Sequence, residues 1–350
     1  MEKLTFTHEE KIGLQLNYRK LMNFCADFDE SINLKHLKSL IGQAVESGLC
    51  VRDKHGIHPV VHDLATAVAF CERVSPDRNI VIALLAYRLC SVGAMTSDKV
   101  VKEWGDDVGM LVRGLTKVAT LYGKNANASV VSDNFRRLLM TFAEDIRVII
   151  MMIVERLTLM KTINHHPDDS FVRDVAYEAN YLYAPLAHRL GLYSIKSELE
   201  DMSLKYTNRK TYSDIAHELN ATKVKRDAYI AAFIKPVKEK LEIAGLKFDI
   251  KGRTKSIYSI WNKIKKQKVD MEHIYDLFAI RIILDTPPER EKSDCWMVYS
   301  LITDMYQPNP SRMKDWISIP KSNGYESLHI TVAGPDNKWV EVQIRTRRMD

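Results

Sequence analysis

The sequence predicts an α+β protein, a helical amino-terminal part followed by a smaller mixed part built on a small sheet. Three observations carry this. Residues 1–200 hold long segments with helical spacing and almost no strand-like alternation. After residue 245 short alternating runs interleave with helical ones. That mixed order fits a small sheet with helices packed on one face. The 350 residues, 46% of them apolar, are enough for two domains with their own cores, and the join is expected near 200–220.

Taken in order, "NFRRLLMTFAEDIRVIIMMIVERLTLMKTI" (134–163) runs thirty residues without Gly or Pro, and its centre is apolar on nearly every side. Such a helix is buried inside a helical domain. "VRDVAYEANYLYAPLAHRLGLYSIKSELEDMSLKY" (172–206) continues in helices, with breaks expected near Pro185 and Gly191. "TKVKRDAYIAAFIKPVKEKLEIAG" (222–245) reads as a connecting helix that stops at Gly245. "LKFDIKGR", "LFAIRIIL" (277–284), "LHITVAG" and "WVEVQIR" (339–345) read as strands, and "SIYSIWNKIKKQ" and "CWMVYSLITDMY" as helices. In "IPKSNGYESLHITVAG" (319–334), Asn323 and Gly324 supply the turn chemistry of a tight reversal into a strand.

Composition excludes several classes. The longest apolar runs, such as "IVIALLAY" (80–87), are about eight residues, far short of a membrane span, and the amino terminus has no secretory pattern. Five scattered cysteines, odd in number and without C-x-x-C spacing, point to a reduced cytoplasmic setting rather than to a disulfide framework or a zinc site. The net charge is +6, yet residues 221–270 alone hold fourteen Lys/Arg against five Asp/Glu, an excess suited to phosphates or nucleic acid, or to a solvated helix surface. There is no G-x-x-x-x-G-K-[ST] loop, so any phosphates must be held mostly by side chains.

Those side chains can be named. Alternation in "WVEVQIR" puts Glu341, Gln343 and Arg345 on one side of a strand. Asp276 stands just before "LFAIRIIL", and two carboxylates on neighbouring strands suit a hard cation such as Mg²⁺. Arg253 and Lys255 stand at the start of a helix, with Ser259 and Lys263 at i, i+4 spacing; Arg312, Lys314 and Lys321 add further cations. Such a ring answers the demand of polyphosphate transfer, which is charge neutralisation and positioning. Lys321, Asn323 and Tyr325 place a cation, an amide and an aromatic ring within five residues, a grip for a charged, flat ligand.

"GRTKSIYSIWNKI", "IYDLFAIRII", "SRMKDWISIPKSNGYESLHITVAG" and "EVQIRT" together resemble the synthetase domain of long RelA/SpoT-type (p)ppGpp synthetases, in order and spacing over roughly 250–346. "NFRRLLMTFAEDIRVIIMMIVERL" and "YAPLAHRLGLYSIKSELED" resemble the family's hydrolase-domain helices. The resemblance implies an all-helical HD-type domain (1–200) followed by a nucleotidyltransferase-like synthetase domain (201–350). It implies a pyrophosphokinase in which the 3′-hydroxyl of GDP or GTP attacks the β-phosphorus of ATP, AMP leaves, and (p)ppGpp forms. By motif, Asp276 and Glu341 are the catalytic pair at Mg²⁺, with Glu341 also orienting or deprotonating the 3′-hydroxyl. Tyr325 stacks on guanine beside Lys321 and Asn323. Arg253, Lys255, Ser259, Lys263 and Lys314 face ATP, and His329, Gln343 and Arg345 complete the pocket. One departure is Glu326, where the family usually has Gln.

In hydrolase-competent relatives the helical domain holds Mn²⁺ through a His, a His-Asp doublet and a distant Asp. "HPVVHDLATAVAF" with the preceding stretch offers His55, His58 and His62. If His62 is the first ligand, the doublet falls at Ala86-Tyr87, the following acidic pair at Cys90-Ser91 and the distant Asp at Glu155. A guanine-contacting Asn falls at Leu159, Thr162 is kept, and Arg88 adds a cation. So poor a ligand set predicts a hydrolase-dead domain kept as scaffold or regulator. Against this, the basic "RMKD" at Arg312–Asp315 resembles the version found in bifunctional members. The alternatives are therefore a bifunctional synthetase/hydrolase and a non-catalytic guanine-nucleotide-binding regulator. Ribosome and tRNA are expected as partners only through a C-terminal region absent from this chain, and a membrane is not.

Overall fold

The computed structural model describes residues 6–26, 34–124, 145–253, 255–267 and 278–350. The chain divides into two compact units, Met1–His188 with Leu192–Thr207, and Arg189–Gly191 with Asn208–Asp350.

The first unit is helical throughout its described residues: α1 (His8–Phe24), α2 (Leu34–Glu46), α3 (Pro59–Arg73), α4 (Arg78–Ser91), α5 (Ser97–Trp104), α6 (Asp106–Lys124), α7 (Ile146–Thr162), α8 (Asp169–Glu178), α9 (Ala184–Arg189) and α10 (Tyr193–Thr207). Its centre is α4 and α7, which are apolar nearly all round. Ile80 to Ala86 on one and Val148, Ile149, Met151, Ile153, Val154 and Leu157 on the other are buried. The thirty-residue helical reading is corrected here. The helix begins at Ile146, because Asp145 has extended backbone and its carboxylate accepts the Arg147 N–H at 2.8 Å, which is N-cap chemistry. Residues 134–144 lie outside the described residues. The breaks expected near Pro185 and Gly191 also differ from each other. Gly191 does end a helix, at φ +78°. Before Pro185, however, the chain widens into a π-turn over Ala179–Tyr183 and continues into α9, which accommodates the proline without a stop.

The second unit runs α11 (Arg209–Ala221), α12 (Lys223–Ile243), β1 (Phe248–Arg253), α13 (Ile257–Gln267), β2 (Phe278–Leu284), α14 (Glu291–Met305), β3 (Lys314–Asp315), β4 (Leu328–Ala333) and β5 (Trp339–Thr346). The sheet order is β1-β2-β5-β4-β3. Among the described residues only β2 and β5 pair in parallel; the other neighbours are antiparallel. Period-two alternation sends Ile280, Ile282, Val340, Val342, Ile344, Leu328, Ile330 and Val332 to one side, under Phe233, Val237 and Leu241 of α12 and Val298 and Ile302 of α14. The helix over 222–245 is thus more than a connector, since it forms half the cover of the sheet. Helix α13 instead lays Ile257, Ile260, Trp261 and Ile264 against Ile215 and Leu219 of α11.

The β4–β5 hairpin, which carries most of the residues of interest, closes at Gly334–Lys338. A methyl added at Gly334 would lie 2.7 Å from the Tyr229 hydroxyl and 3.1 Å from Phe233 and Val340, so only glycine fits against α12. The same hydroxyl donates to the Pro335 carbonyl at 2.8 Å.

Candidate functional site

The sheet side away from α12 and α14 carries the polar row. Register aligns Lys251, Arg281, Gln343, His329 and Lys314 across all five strands, and Ala279, Glu341 and Thr331 in the next row. This is no ordinary solvent-washed face: Gln343 is 1% and Arg345 4% exposed. Buried polar groups must be satisfied, and they satisfy one another. Gln343 donates from Nε2 to Glu341 Oε1 at 2.7 Å, while its Oε1 accepts from Arg345 Nη2 at 3.2 Å and Arg281 Nη2 at 3.4 Å. Asp350 Oδ1 accepts from Arg281 at 2.8 Å and from Arg345 at 3.3 Å.

A second chain of contacts descends from the turn. Arg345 Nη2 donates to the Tyr325 hydroxyl at 2.6 Å, and that hydroxyl lies 2.8 Å from His329 Nε2. With the hydroxyl donating to Nε2, the ring proton sits on Nδ1, which faces Glu341 Oε1 at 3.5 Å. Burial holds the His329 imidazole below its ordinary value, helped by Arg345 and Lys314 and opposed by Glu341, so the ring is neutral near pH 7. Burial pushes the Glu341 carboxyl up, but the hydrogen bonds from His329 and Gln343 and the nearby charge of Lys255 outweigh it and hold it at about 2. The acid is therefore ionised, as a metal ligand must be.

The turn builds an aromatic corner. Trp316 meets His329 edge-on at 4.7 Å and Tyr325 at 5.6 Å between centroids. The Lys321 ammonium stands 3.9 Å over Trp316 and 4.8 Å from the Tyr325 centroid, within cation–π reach of both rings. Burial, then Lys314, lowers the Lys321 pKa. Of the two turn residues named from sequence, Gly324 alone takes positive φ, at +76°. Asn323 instead accepts the Tyr325 N–H with its Oδ1 at 3.3 Å, an Asx turn that aims the tyrosine.

The structure thus brings Glu341, Gln343, Arg345, His329, Tyr325, Lys321 and Lys314 into one connected set, which Lys255 joins by its charge. Ser259 and Lys263 lie on α13, where the Ser259 hydroxyl accepts from Ser256 Oγ at 2.7 Å in the first turn. Arg312 closes the short 3-10 turn before β3. Arg253 ends β1 opposite Ala279, in the row of Glu341, and its side chain lies outside the described residues. Asp276 also lies outside them. Sequence reasoning missed Arg281, Trp316 and Asp350. A lone arginine inside the apolar run "LFAIRIIL" was the available signal for the first. Glu326 neither meets the polar row nor stands free in solvent, because Arg348 Nη2 holds it at 2.6 Å.

In the helical unit, His62 and Glu155 do meet, Nε2 to Oε1 at 2.9 Å. Burial works against the charged imidazole, but the Glu155 hydrogen bond and charge win and raise it. Arg88 grips Asp63 with two hydrogen bonds, at 2.6 and 3.0 Å. Ala86 is fully buried. His58 caps α3, its Nδ1 accepting the Val60 N–H at 3.3 Å, and its ring meets Phe6 at a tilt of 37°. His62, Arg88, Glu155, Leu159 and Phe171 line a cavity of about 440 Å³. Among the described residues no three His, Cys, Asp or Glu side chains gather to hold a metal.

A sheet face carrying an ionised carboxylate among arginines and lysines defines a domain suited to polyanionic ligands, here joined to a helical domain. Residues 252–350 match the family model described as "Region found in RelA / SpoT proteins", and residues 44–193 match that of the HD domain. The chain is 38% identical to a GTP pyrophosphokinase of Myxococcus xanthus, over 85% of this chain and 38% of that one. It is 34% identical to a guanosine-3′,5′-bis(diphosphate) 3′-pyrophosphohydrolase of Aquifex aeolicus, over 85% and 42%. A solved structure, the small alarmone synthetase 1 of Bacillus subtilis bound to its product pppGpp, is 22% identical over 35% of this chain and 71% of that one, with a TM-score of 0.28. The chain thus carries, in this order, a region that matches the HD-domain model and one that matches the region found in RelA / SpoT proteins, and it is similar to proteins named for synthesis and for hydrolysis. It spans about two fifths of the length of those two curated relatives.

Proposed function

We propose that this protein is a Mg²⁺-dependent pyrophosphokinase that transfers pyrophosphate from ATP to the 3′-hydroxyl of GDP or GTP, and that its helical unit does not hydrolyse the (p)ppGpp formed. The observation that carries the first part is the ionised Glu341 beside the row that holds Lys251, Arg281 and Lys314. An anionic oxygen donor fits Mg²⁺, and Glu341 with Asp276 would hold it. Bound Mg²⁺ supplies neutralisation of the polyphosphate charge.

The rest is the work of side chains. Tyr325 stacks on the acceptor guanine, and Lys321, already held against the ring, meets its phosphates. Arg253, Lys255, Ser259, Lys263 and Lys314 face ATP. The new bond joins O3′ to the β-phosphorus; the bond that breaks is the one linking that phosphorus to the α-phosphate, so AMP leaves. A carboxyl held at about 2 is a weak base, which favours Glu341 orienting the hydroxyl over keeping its proton. His329 and Gln343 fix that carboxylate, and Arg345 fixes Tyr325 and Gln343. Residues 201–350 carry the synthesis. Residues 1–200 serve as scaffold or regulator, because His62 and Glu155 are committed to each other and Ala86 and Tyr87 offer no ligands. Ribosome and tRNA responses belong to regions of relatives that this chain does not span, and the setting is cytoplasmic.

Incubation with ATP, GDP and Mg²⁺ tests the first part: AMP and guanosine tetraphosphate are expected, and their absence beside an active relative overturns it in favour of a nucleotide-binding regulator. The second reading, a bifunctional enzyme, is favoured by the likeness to a named pyrophosphohydrolase. Incubation with pppGpp and Mn²⁺ decides it, since released pyrophosphate would remove the claim of a silent helical unit.

A further inference from the structure

We propose that Glu326 is a positioning residue for the acceptor nucleotide: through Arg348 it fixes the turn that carries Tyr325. This rests on the reading above that Tyr325 receives the guanine.

Tyr325 and Glu326 are adjacent, and each is held by a guanidinium, one near the end of β5 and one in the turn that follows it. Arg345 takes the Tyr325 hydroxyl on the polar side of the sheet at 2.6 Å. Arg348 takes both oxygens of Glu326, at 2.6 and 3.4 Å. Arg348 is itself placed by Glu291, whose Oε2 accepts from its Nε at 2.8 Å. Glu291 is fixed in turn: its side chain is 8% exposed, it opens α14, and its Oε1 accepts from Thr346 at 2.6 Å. An acid in the first turn of a helix is favourably placed against the helix dipole. Thus a buried acid sets Arg348, Arg348 sets Glu326, and the chain on either side of Glu326 has little freedom left. The buried Ser327 hydroxyl donates to the Ile344 carbonyl at 3.1 Å. Glutamine at 326 would keep an acceptor but lose the charge assistance, which makes such bonds roughly twice as strong.

The opposite role for Glu326 is repulsion of the acceptor's phosphates. The two roles give effects of opposite sign. With the clamp, Glu326→Gln weakens GDP and GTP binding alike. With repulsion, Glu326→Gln tightens both, GTP more because of its extra charge.

The experiment compares wild type, Glu326→Gln, Arg348→Gln and the double variant, using the full chain. Kd for GDP and for GTP comes from equilibrium dialysis, KM and kcat from AMP release, and amide exchange is followed across residues 316–326. Each single variant is expected to raise Kd and KM for both acceptors about two- to fivefold. The KM for ATP stays within twofold and kcat changes less than twofold. The double variant is no worse than the worse single one, because both remove one interaction. Exchange at Lys321, whose N–H donates to the Tyr325 carbonyl at 3.1 Å, becomes faster in all three variants. Tighter acceptor binding, additive losses, or faster exchange with unchanged acceptor Kd would each overturn the proposal. Wild type that binds GDP but releases no AMP removes the pyrophosphokinase reading while leaving the dialysis and exchange arms decisive. Wild type that binds no GDP removes both.

Discussion

The two units use the same chemical parts and wire them in opposite ways. On the sheet, Glu341 meets a neutral histidine and an amide, a second acid, Asp350, is shared between Arg281 and Arg345, and Lys255 adds its charge. In the cleft of the helical unit the pairing is one to one: Glu155 has His62, and Asp63 has Arg88. The first arrangement shares its acids among several cations. The second is closed upon itself. The lesson is that the presence of His, Asp and Glu at a site says less than how their charges are already matched.

Four measurements break or sharpen that contrast. The largest effect is expected at the open site. Glu341→Gln should lower AMP release by about a thousandfold while nucleotide binding, read by dialysis, stays largely intact. Surviving turnover would mean the sheet acid is as idle as those of the helical unit. Next, in the closed site, Arg88→Ala strands Asp63, whose side chain is 13% exposed. A loss of about 2–3 kcal/mol in urea denaturation is expected; a loss near zero would show that the pair adds nothing to the stability of the helical unit. Third, Tyr325→Phe keeps the ring but removes the hydroxyl between Arg345 and His329. The expected cost is about 1 kcal/mol, a fivefold or smaller fall in kcat/KM. No change would reduce Tyr325 to a stacking surface. The smallest effect is a slope. His62 is raised above its ordinary 6.5 by Glu155, so its contribution is complete below pH 6.5 and fades as pH rises through the higher folded value. Glu155 is lowered from 4.5, so its contribution is complete above that and fades in acid. Melting temperature should therefore fall more gently above pH 6.5 in His62→Gln than in wild type, as read by calorimetry.

Much of the second unit was legible from alternation. "WVEVQIR" reports its own faces, and Glu341, Gln343 and Arg345 do form a bonded line. What the sequence hid was whatever depends on cross-strand register. Arg281 reads as one polar residue in an apolar strand until β2 is laid beside β5, opposite Gln343. Trp316 is an unremarkable aromatic until β3 and its turn bring it edge-on to His329. Glu326 reads as an isolated acid until the fold brings Arg348, 22 residues away, against it. In the helical unit, thirty residues without Gly or Pro concealed a cap because an aspartate can start a helix without a breaker before it.

Gly334 carries a last consequence. The hairpin tip is bolted to α12 through the missing methyl and the Tyr229 hydroxyl, while Thr331, His329 and the Tyr325 turn lie progressively farther along. Mechanically the hairpin is a beam held at both ends, by the tip against α12 and by Arg345 and Arg348 at the Tyr325 turn, with β2 bonded along β5 between them. A side chain at residue 334 would act as a wedge under one support, and the bend it imposes would fall on the span between, where Glu341 and His329 lie.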